Sequence, residues 1–178
     1  MNLGLTEMLR YNAWASRTLL DACRELTDEQ LEARLPVTSG PVRELLMHIV
    51  GGQQAYVHMA QGRSDADGLE RESMWPGWPE LTAVTERTSS ELISIAEQLD
   101  PESEVDLLHH GKVHRYPKRF FLTNAVEHGV RHRTEVTLNL ASIGIVTPDL
   151  DGWAYGRSAG YGVEVRRSAP VASPERED

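Results

Sequence analysis

Apolar residues recur at intervals of three and four along four long stretches of the chain, a pattern typical of amphipathic α-helices. In the first stretch, Leu5, Leu9 and Leu20 occupy apolar positions, whereas Arg10 and Arg17 occupy polar ones. Four such stretches with a dominant helical period predict an all-α fold, a four-helix bundle. The predicted long helices cover residues 3–24, 41–62, 78–99 and 117–142.

Residues that favour helix ends mark the limits of two elements near the N-terminus. Thr27 and Gln30 have the spacing of a capping box, which predicts a short helix after the first long one. Ser39 or Gly40 is expected to cap the second long helix, with Pro41 in its first turn. The second long helix is therefore predicted to begin close to residue 41.

The segment before the last long helix breaks the helical period. Val105, Leu107 and Val113 lie on either side of Gly111, which predicts a short β-hairpin or extended excursion within residues 104–116. After the long helix, Gly144 is a typical stop signal. Residues 149–160 are compatible with a final helix, although their glycines disfavour it.

The domain organisation follows from these elements. Residues 1–163 are predicted to form a single helical bundle domain, a length that suits one domain with a substantial core. Residues 164–178 are rich in charged residues, serine and proline, and are predicted to be a disordered C-terminal tail.

Composition limits the classes of partner. The 178 residues include 18 Lys and Arg against 27 Asp and Glu, a formal net charge of −9, which argues against a general nucleic-acid-binding protein. The single cysteine, Cys23, excludes an internal disulfide. Charged residues interrupt the first helix, so neither a signal peptide nor a membrane span is predicted there. We expect a cytoplasmic protein with no membrane or nucleic-acid partner.

Two histidines in the last long helix are the main candidates for chemistry. His128 and His132 are four residues apart, so both imidazoles lie on one helical face. Leu122, Ala125 and Val136 share that face, which is therefore expected to be buried. Because a buried imidazole needs partners for its nitrogens, a divalent metal ion bound by both rings is an economical explanation.

A third ligand is expected from another helix, and His48 fits. It lies on the apolar side of the second long helix, and Gly52, one turn further on, would leave room beside it. Three neutral imidazoles leave at least one coordination position open, as in catalytic or ligand-binding sites. The alternative is that the buried histidines only form hydrogen bonds with one another.

The other histidines compete for the role of metal ligand. His110 and His114 also have a ligand-like spacing, but they and His109 lie around a predicted turn and are expected to face solvent. His58 does not lie on the same face of the helix as His48 and is expected at the surface.

Charged residues next to the candidate ligands could form hydrogen bonds to their imidazole rings. One interpretation is an ordinary solvated helix face; the other is that Glu127 or Glu135 accepts a ring N–H and so fixes the tautomer of a ligating histidine. Arg133, next to His132, is a further candidate for this surrounding shell.

Three segments together resemble the DinB/YfiT-like family of metal-binding four-helix bundles. They are residues 11–15 (YNAWA), 39–49 (SGPVRELLMHI) and 128–133 (HGVRHR), and the similarity extends through residues 144–149. The resemblance implies that His48, His128 and His132 bind one divalent metal ion, typically zinc or nickel. The chain departs from many relatives at Arg131, where they have histidine, and at Glu135, where they have glutamine.

The resemblance also implies a range of functions. Characterised relatives include S-transferases and isomerases that use the thiols bacillithiol or mycothiol, so the first hypothesis is a metal-dependent thiol S-transferase acting on small electrophiles. The alternatives are a metal-dependent hydrolase and a non-catalytic metal-binding or stress-response protein. The resemblance further implies a homodimer.

Overall fold

Helices form most of the described chain, which comprises residues 3–64, 74–109 and 111–162 of a computed structural model. The predicted helical bundle is confirmed, and so are the capping box of Thr27 with Gln30 and the hairpin before the last long helix. The elements are α1 (Leu3–Cys23), α2 (Asp28–Leu31), α3 (Val42–Ala60), α4 (Trp78–Glu97), β1 (Glu104–His109), β2 (Lys112–Pro117), α5 (Lys118–Ser142) and α6 (Gly152–Ser158). The predicted tail, residues 164–178, lies outside the described residues.

The four long helices are arranged so that the two histidine-bearing helices are neighbours. α1 and α3 each pack against both α4 and α5, so α1 lies diagonally opposite α3, and α4 diagonally opposite α5. The long connection from α3 to α4, which could have crossed the bundle, joins two neighbouring helices instead. The contact between α3 and α5 is the most extensive in the bundle, and it brings together residues that are distant in sequence.

The apolar core consists of two clusters along the bundle axis. One cluster surrounds Leu45, Leu81 and Leu140, and the other surrounds Leu92 and Leu122 near the hairpin. On each long helix, buried polar residues fall between the positions that contribute to the two clusters. Six of these residues are joined by hydrogen bonds, and we call them the polar layer: Asn12, Ser16, Gln53, Thr88, Ser89 and Arg133.

The start of α3 differs from the prediction. Pro41 is the N-cap residue, and no side chain forms a capping hydrogen bond there. The expectation that Ser39 or Gly40 caps the helix is therefore wrong: the Ser39 hydroxyl donates to Glu135 on α5 instead. The helix still begins at the expected place, and Pro41 has a φ of −67° and a ψ of 163°, the extended conformation usual at an N-cap.

The hairpin is an antiparallel pair in which Leu107 lies opposite His114, and Gly111 at the turn has a φ of 74°. Such a positive φ favours glycine. No helix among the described residues is both long enough and apolar enough to cross a membrane.

Candidate metal centre

The structure brings together the three histidines singled out in the sequence. His48 lies in the middle of α3, and His128 and His132 lie one turn apart on the face of α5 that packs against it. One nitrogen from each ring lies within 4.8 Å of the other two. His132 is buried, whereas His48 and His128 are partly buried, so the cluster lies at the edge of the core.

The separations are suitable for a shared metal ion. His128 Nε2 lies 3.1 Å from His48 Nε2, and two nitrogens bound to one tetrahedral zinc ion would be about 3.3 Å apart. A hydrogen bond between the two rings would give a similar distance. The position of the third ring favours a shared metal ion over a hydrogen bond between two rings. The ring centroid of His132 lies 4.6 Å from that of His48 and 4.5 Å from that of His128. These three residues could hold one metal ion.

Glu135 contacts the ring of His132 from within the same helix. Its Oε2 lies 3.0 Å from His132 Nδ1, and its Oε1 accepts a hydrogen bond of 2.8 Å from the Ser39 hydroxyl. Burial tends to raise the pKa of the Glu135 carboxyl, but the hydrogen bonds from His132 and Ser39 outweigh it and lower that pKa. A carboxylate that accepts the Nδ1–H leaves Nε2 of the same ring available as a ligand atom.

Gly52 provides the space that His128 occupies. A Cβ at this position would come within 2.3 Å of His128 Cε1 and 2.9 Å of His128 Nε2. Any side chain larger than hydrogen would therefore force the His128 ring to shift. A glycine inside a helix reduces helix stability, so its position here is explained by close packing against the imidazole.

The other two charged candidates, Arg133 and Glu127, also lie on α5. Arg133 is 2% exposed and faces α1, where its Nη1 donates to Asn12 Oδ1 at 2.7 Å and to Ser16 Oγ at 2.9 Å. Burial lowers the pKa of this guanidinium to about 10, so it remains protonated at neutral pH. Glu127 is exposed and lines a groove with Leu5.

The polar layer continues from Arg133 across the bundle. Asn12 Nδ2 donates to Gln53 Oε1, and Gln53 Nε2 donates to Thr88 Oγ1 at 2.7 Å and to Ser89 Oγ at 3.0 Å. Because Gln53 follows Gly52 directly, these bonds fix the part of α3 against which His128 packs. The layer therefore links all four long helices at the level of the histidines.

The remaining histidines described by the structure lie elsewhere. His109 and His114 are exposed on the hairpin with ring centroids 6.3 Å apart, and His110 lies outside the described residues. His58, expected at the surface, is partly buried on α3.

Comparison with known proteins agrees with this architecture. The sequence profile of the DinB family matches residues 1–170. The chain belongs to the DinB family. A search among proteins with curated annotation gave no match.

Solved structures of DinB-like proteins share this fold. One from Bacillus cereus is similar with a TM-score of 0.62 and 16% sequence identity, over 83% of this chain and 96% of that one. Another from Bacillus subtilis is similar with a TM-score of 0.58 and 16% identity, over 81% of this chain and 97% of that one. At this identity the similarity concerns the fold of the DinB-family chain, not its chemistry.

Sequence reasoning missed two residues at this DinB-family site. Ser39 was interpreted as a helix cap, and its contact with Glu135 joins positions 96 residues apart, which no local pattern indicates. Tyr56 was not considered as a site residue, but its ring lies edge-on to His128 with centroids 5.6 Å apart. Its position two turns after His48, on the same face of α3, was the available signal.

Proposed function

We propose that this DinB-family protein binds one divalent metal ion through His48, His128 and His132 and activates a small thiol for transfer to an electrophile. The observation that carries the proposal is the convergence of three imidazole nitrogens within 4.8 Å of one another at the edge of the core. Zinc and nickel are the proposed ions, because both accept imidazole ligands.

A bound divalent ion would lower the pKa of a thiol or water that reaches it and favour the nucleophilic anion. The protein's part is to hold the three rings and to leave one side accessible, which the partial burial of His48 and His128 supports. Glu135, with Oε2 3.0 Å from His132 Nδ1, would hold a proton on that nitrogen and leave Nε2 for the ion. In the transfer, the thiol sulfur bonds to the electrophilic carbon, the leaving group departs with its electron pair, and the thiol proton passes to solvent.

The nucleophile is proposed to come from outside the chain. Cys23 is buried in the core cluster around Leu45, and burial raises the pKa of its thiol to about 12. A neutral buried thiol is a poor nucleophile. By the family resemblance, bacillithiol or mycothiol is the proposed thiol.

Two other functions remain as alternatives to transfer. A hydrolase would use water in place of the thiol at the same site. A non-catalytic protein for metal handling or stress response would bind the ion without turnover, and the contact of Glu135 with His132, which favours tight metal binding, supports this reading equally.

The first experiment measures metal content and then activity. Protein purified without a histidine tag is analysed for bound metals, together with His48→Ala, His132→Ala and the control His114→Ala. We expect close to one ion per chain in the parent and in the control, and loss of the ion in both site variants. Equal metal content in all four proteins would contradict the ligand set.

Activity separates the transferase from a binding protein. Consumption of bacillithiol with monochlorobimane is measured before and after removal of the metal. We expect turnover that depends on the ion. Stoichiometric metal with no consumption of any tested thiol would favour the non-catalytic alternative.

Assembly and location are proposed on the same basis. A homodimer is supported by exposed apolar side chains on α1 and α5, namely Leu3, Met8 and Val130, and sedimentation equilibrium would test it. A single domain over residues 1–163 and a cytoplasmic location also remain proposals.

A further inference from the structure

A cavity of about 380 Å³ lies between α3, α5 and the hairpin, at the hairpin end of the bundle. Its walls include Tyr56 and Met59 from α3, Leu107 and Tyr116 from the hairpin, and Phe120 and Phe121 from α5. This volume lies within the range of about 300–1,000 Å³ typical of small-molecule sites. The cavity is therefore large enough for a small organic ligand.

The cavity and the histidine cluster share a wall. The Tyr56 ring lines the cavity and lies edge-on to the ring of His128, with centroids 5.6 Å apart. Asn124 also lines the cavity, one helical turn before His128 on α5. The ring of Tyr56 therefore lies between the cavity and His128.

The lining selects for uncharged, planar groups. The rings of Tyr116 and Phe120 are stacked with centroids 5.6 Å apart, and Phe121 is edge-on to Tyr116 at 5.4 Å. Among the described residues that line the cavity there is no Asp, Glu, Lys or Arg. Aromatic rings favour other rings in stacked or edge-to-face contact, and the imidazole of His109 also lines the cavity.

We infer that this cavity binds an uncharged aromatic group, and that this group belongs to the electrophile of the proposed reaction. The inference extends the proposed function. It rests on that function only in assigning the bound aromatic group to the electrophile. The aromatic part would occupy the cavity, with its reactive carbon directed past Tyr56 towards the histidines. For a halogenated nitroarene, the thiol sulfur bonds to the ring carbon, halide leaves with the bonding electrons, and the thiol proton passes to solvent.

Binding is tested without any reaction. The probe is 1,3-dinitrobenzene, an aromatic compound that lacks a leaving group, titrated into the metal-loaded protein and followed by calorimetry. Asn124→Phe would fill the cavity, and Phe120→Ala would remove one of its rings. Leu138→Ala is the matched control, because Leu138 is 46% exposed on the same helix, close to the 47% of Phe120, and lies outside the cavity.

We expect saturable binding to the parent and to Leu138→Ala with equal affinity. Phe120→Ala should weaken binding by roughly threefold to tenfold, the effect of one aromatic contact, and Asn124→Phe should weaken it by about tenfold or more. Absence of saturable binding, or equal affinity in the parent and Asn124→Phe, would overturn the inference. Thermal unfolding of each variant shows whether it retains the fold.

A second measurement separates this inference from the proposed function. The same thiol is supplied with 1-chloro-2,4-dinitrobenzene or with iodoacetamide, which has no aromatic ring. We expect Asn124→Phe to lower turnover of the first electrophile much more than that of the second. Equal loss for both would overturn the inference and leave the transferase intact. Probe binding as expected without turnover of either would retain the aromatic site and count against the transferase.

Discussion

The imidazole of His128 packs against the α-carbon of Gly52, so closely that a Cβ at residue 52 would come within 2.3 Å of His128 Cε1. The two residues lie on different helices, α3 and α5. The position of a candidate ligand thus depends on the absence of a side chain in the facing helix.

Gly52→Ala is expected to reduce metal content strongly although alanine favours helix formation. The methyl group would force the His128 ring out of its present position, while the helix itself would gain about 1 kcal/mol. Metal analysis and thermal unfolding of the metal-free protein measure the two effects separately. The control is Gly156→Ala in α6, where an added Cβ meets no atom within 4 Å. Full metal content in Gly52→Ala would show that the ring can move without loss of the site.

Glu135 is expected to affect metal affinity through His132. Glu135→Leu removes the acceptor of the Nδ1–H and should weaken metal binding by about 10- to 100-fold. Glu135→Gln keeps an acceptor and should have a smaller effect. Competition with a chelator measures the dissociation constants, and Glu127→Gln, at an exposed residue, serves as control. An unchanged affinity in Glu135→Leu would remove Glu135 from the site.

Asn12→Ala is expected to destabilise the fold because it removes an acceptor from a buried cation. Arg133 is 2% exposed and donates to Asn12 and Ser16. Loss of a hydrogen bond to a buried charged group costs about 2–3 kcal/mol. Denaturant unfolding of the metal-free protein measures this, and Thr134→Ala on the exposed side of α5 should change the free energy of unfolding by less than about 0.5 kcal/mol. Equal stability of the two variants would mean that the polar layer contributes little.

Cys23 is expected to resist alkylation until the protein unfolds. Burial raises its pKa to about 12, so the thiolate, which is the reactive form, is scarce at about pH 8. Iodoacetamide labelling with and without denaturant measures this, and Ser90→Cys in a Cys23→Ala background provides an exposed thiol as control. Rapid labelling of the native parent would contradict the assignment.

The raised pKa of Cys23 also determines how the free energy of unfolding changes with pH. Because the unfolded chain releases the Cys23 proton at its ordinary pKa of about 8.5, this residue lowers the free energy of unfolding as the pH rises above that value. Cys23→Ala should lack this decline, as unfolding measured across the alkaline range would reveal.

Local patterns were sufficient to predict the elements and the three histidines. The helical period identified all four long helices, and Gly111 with its apolar neighbours indicated the hairpin. The face shared by His128 and His132 followed from their spacing, and the apolar neighbours of His48 indicated its direction. These predictions depend only on residues within a few turns of one another.

Features that depend on helix packing could not be predicted in this way. Arg133 follows His132 directly, but one residue turns a helix by about 100°, so Arg133 faces α1 instead of the cluster. Ser39 was expected to cap α3 because its neighbours are typical of a helix start, whereas its partner Glu135 is remote in sequence. The diagonal placement of α1 and α3 likewise depends on packing that no single segment specifies.

His48 and His128 are separated by 80 positions, so a common ion would act as a removable cross-link between remote parts of the polypeptide. Unfolding would then have to break that cross-link, and at a free ion concentration one hundred times the dissociation constant the native state would gain about 2.7 kcal/mol. The lifetime of the folded chain in the cell would consequently follow the supply of metal, and starvation for the ion would expose the chain to proteolysis before any change in its synthesis.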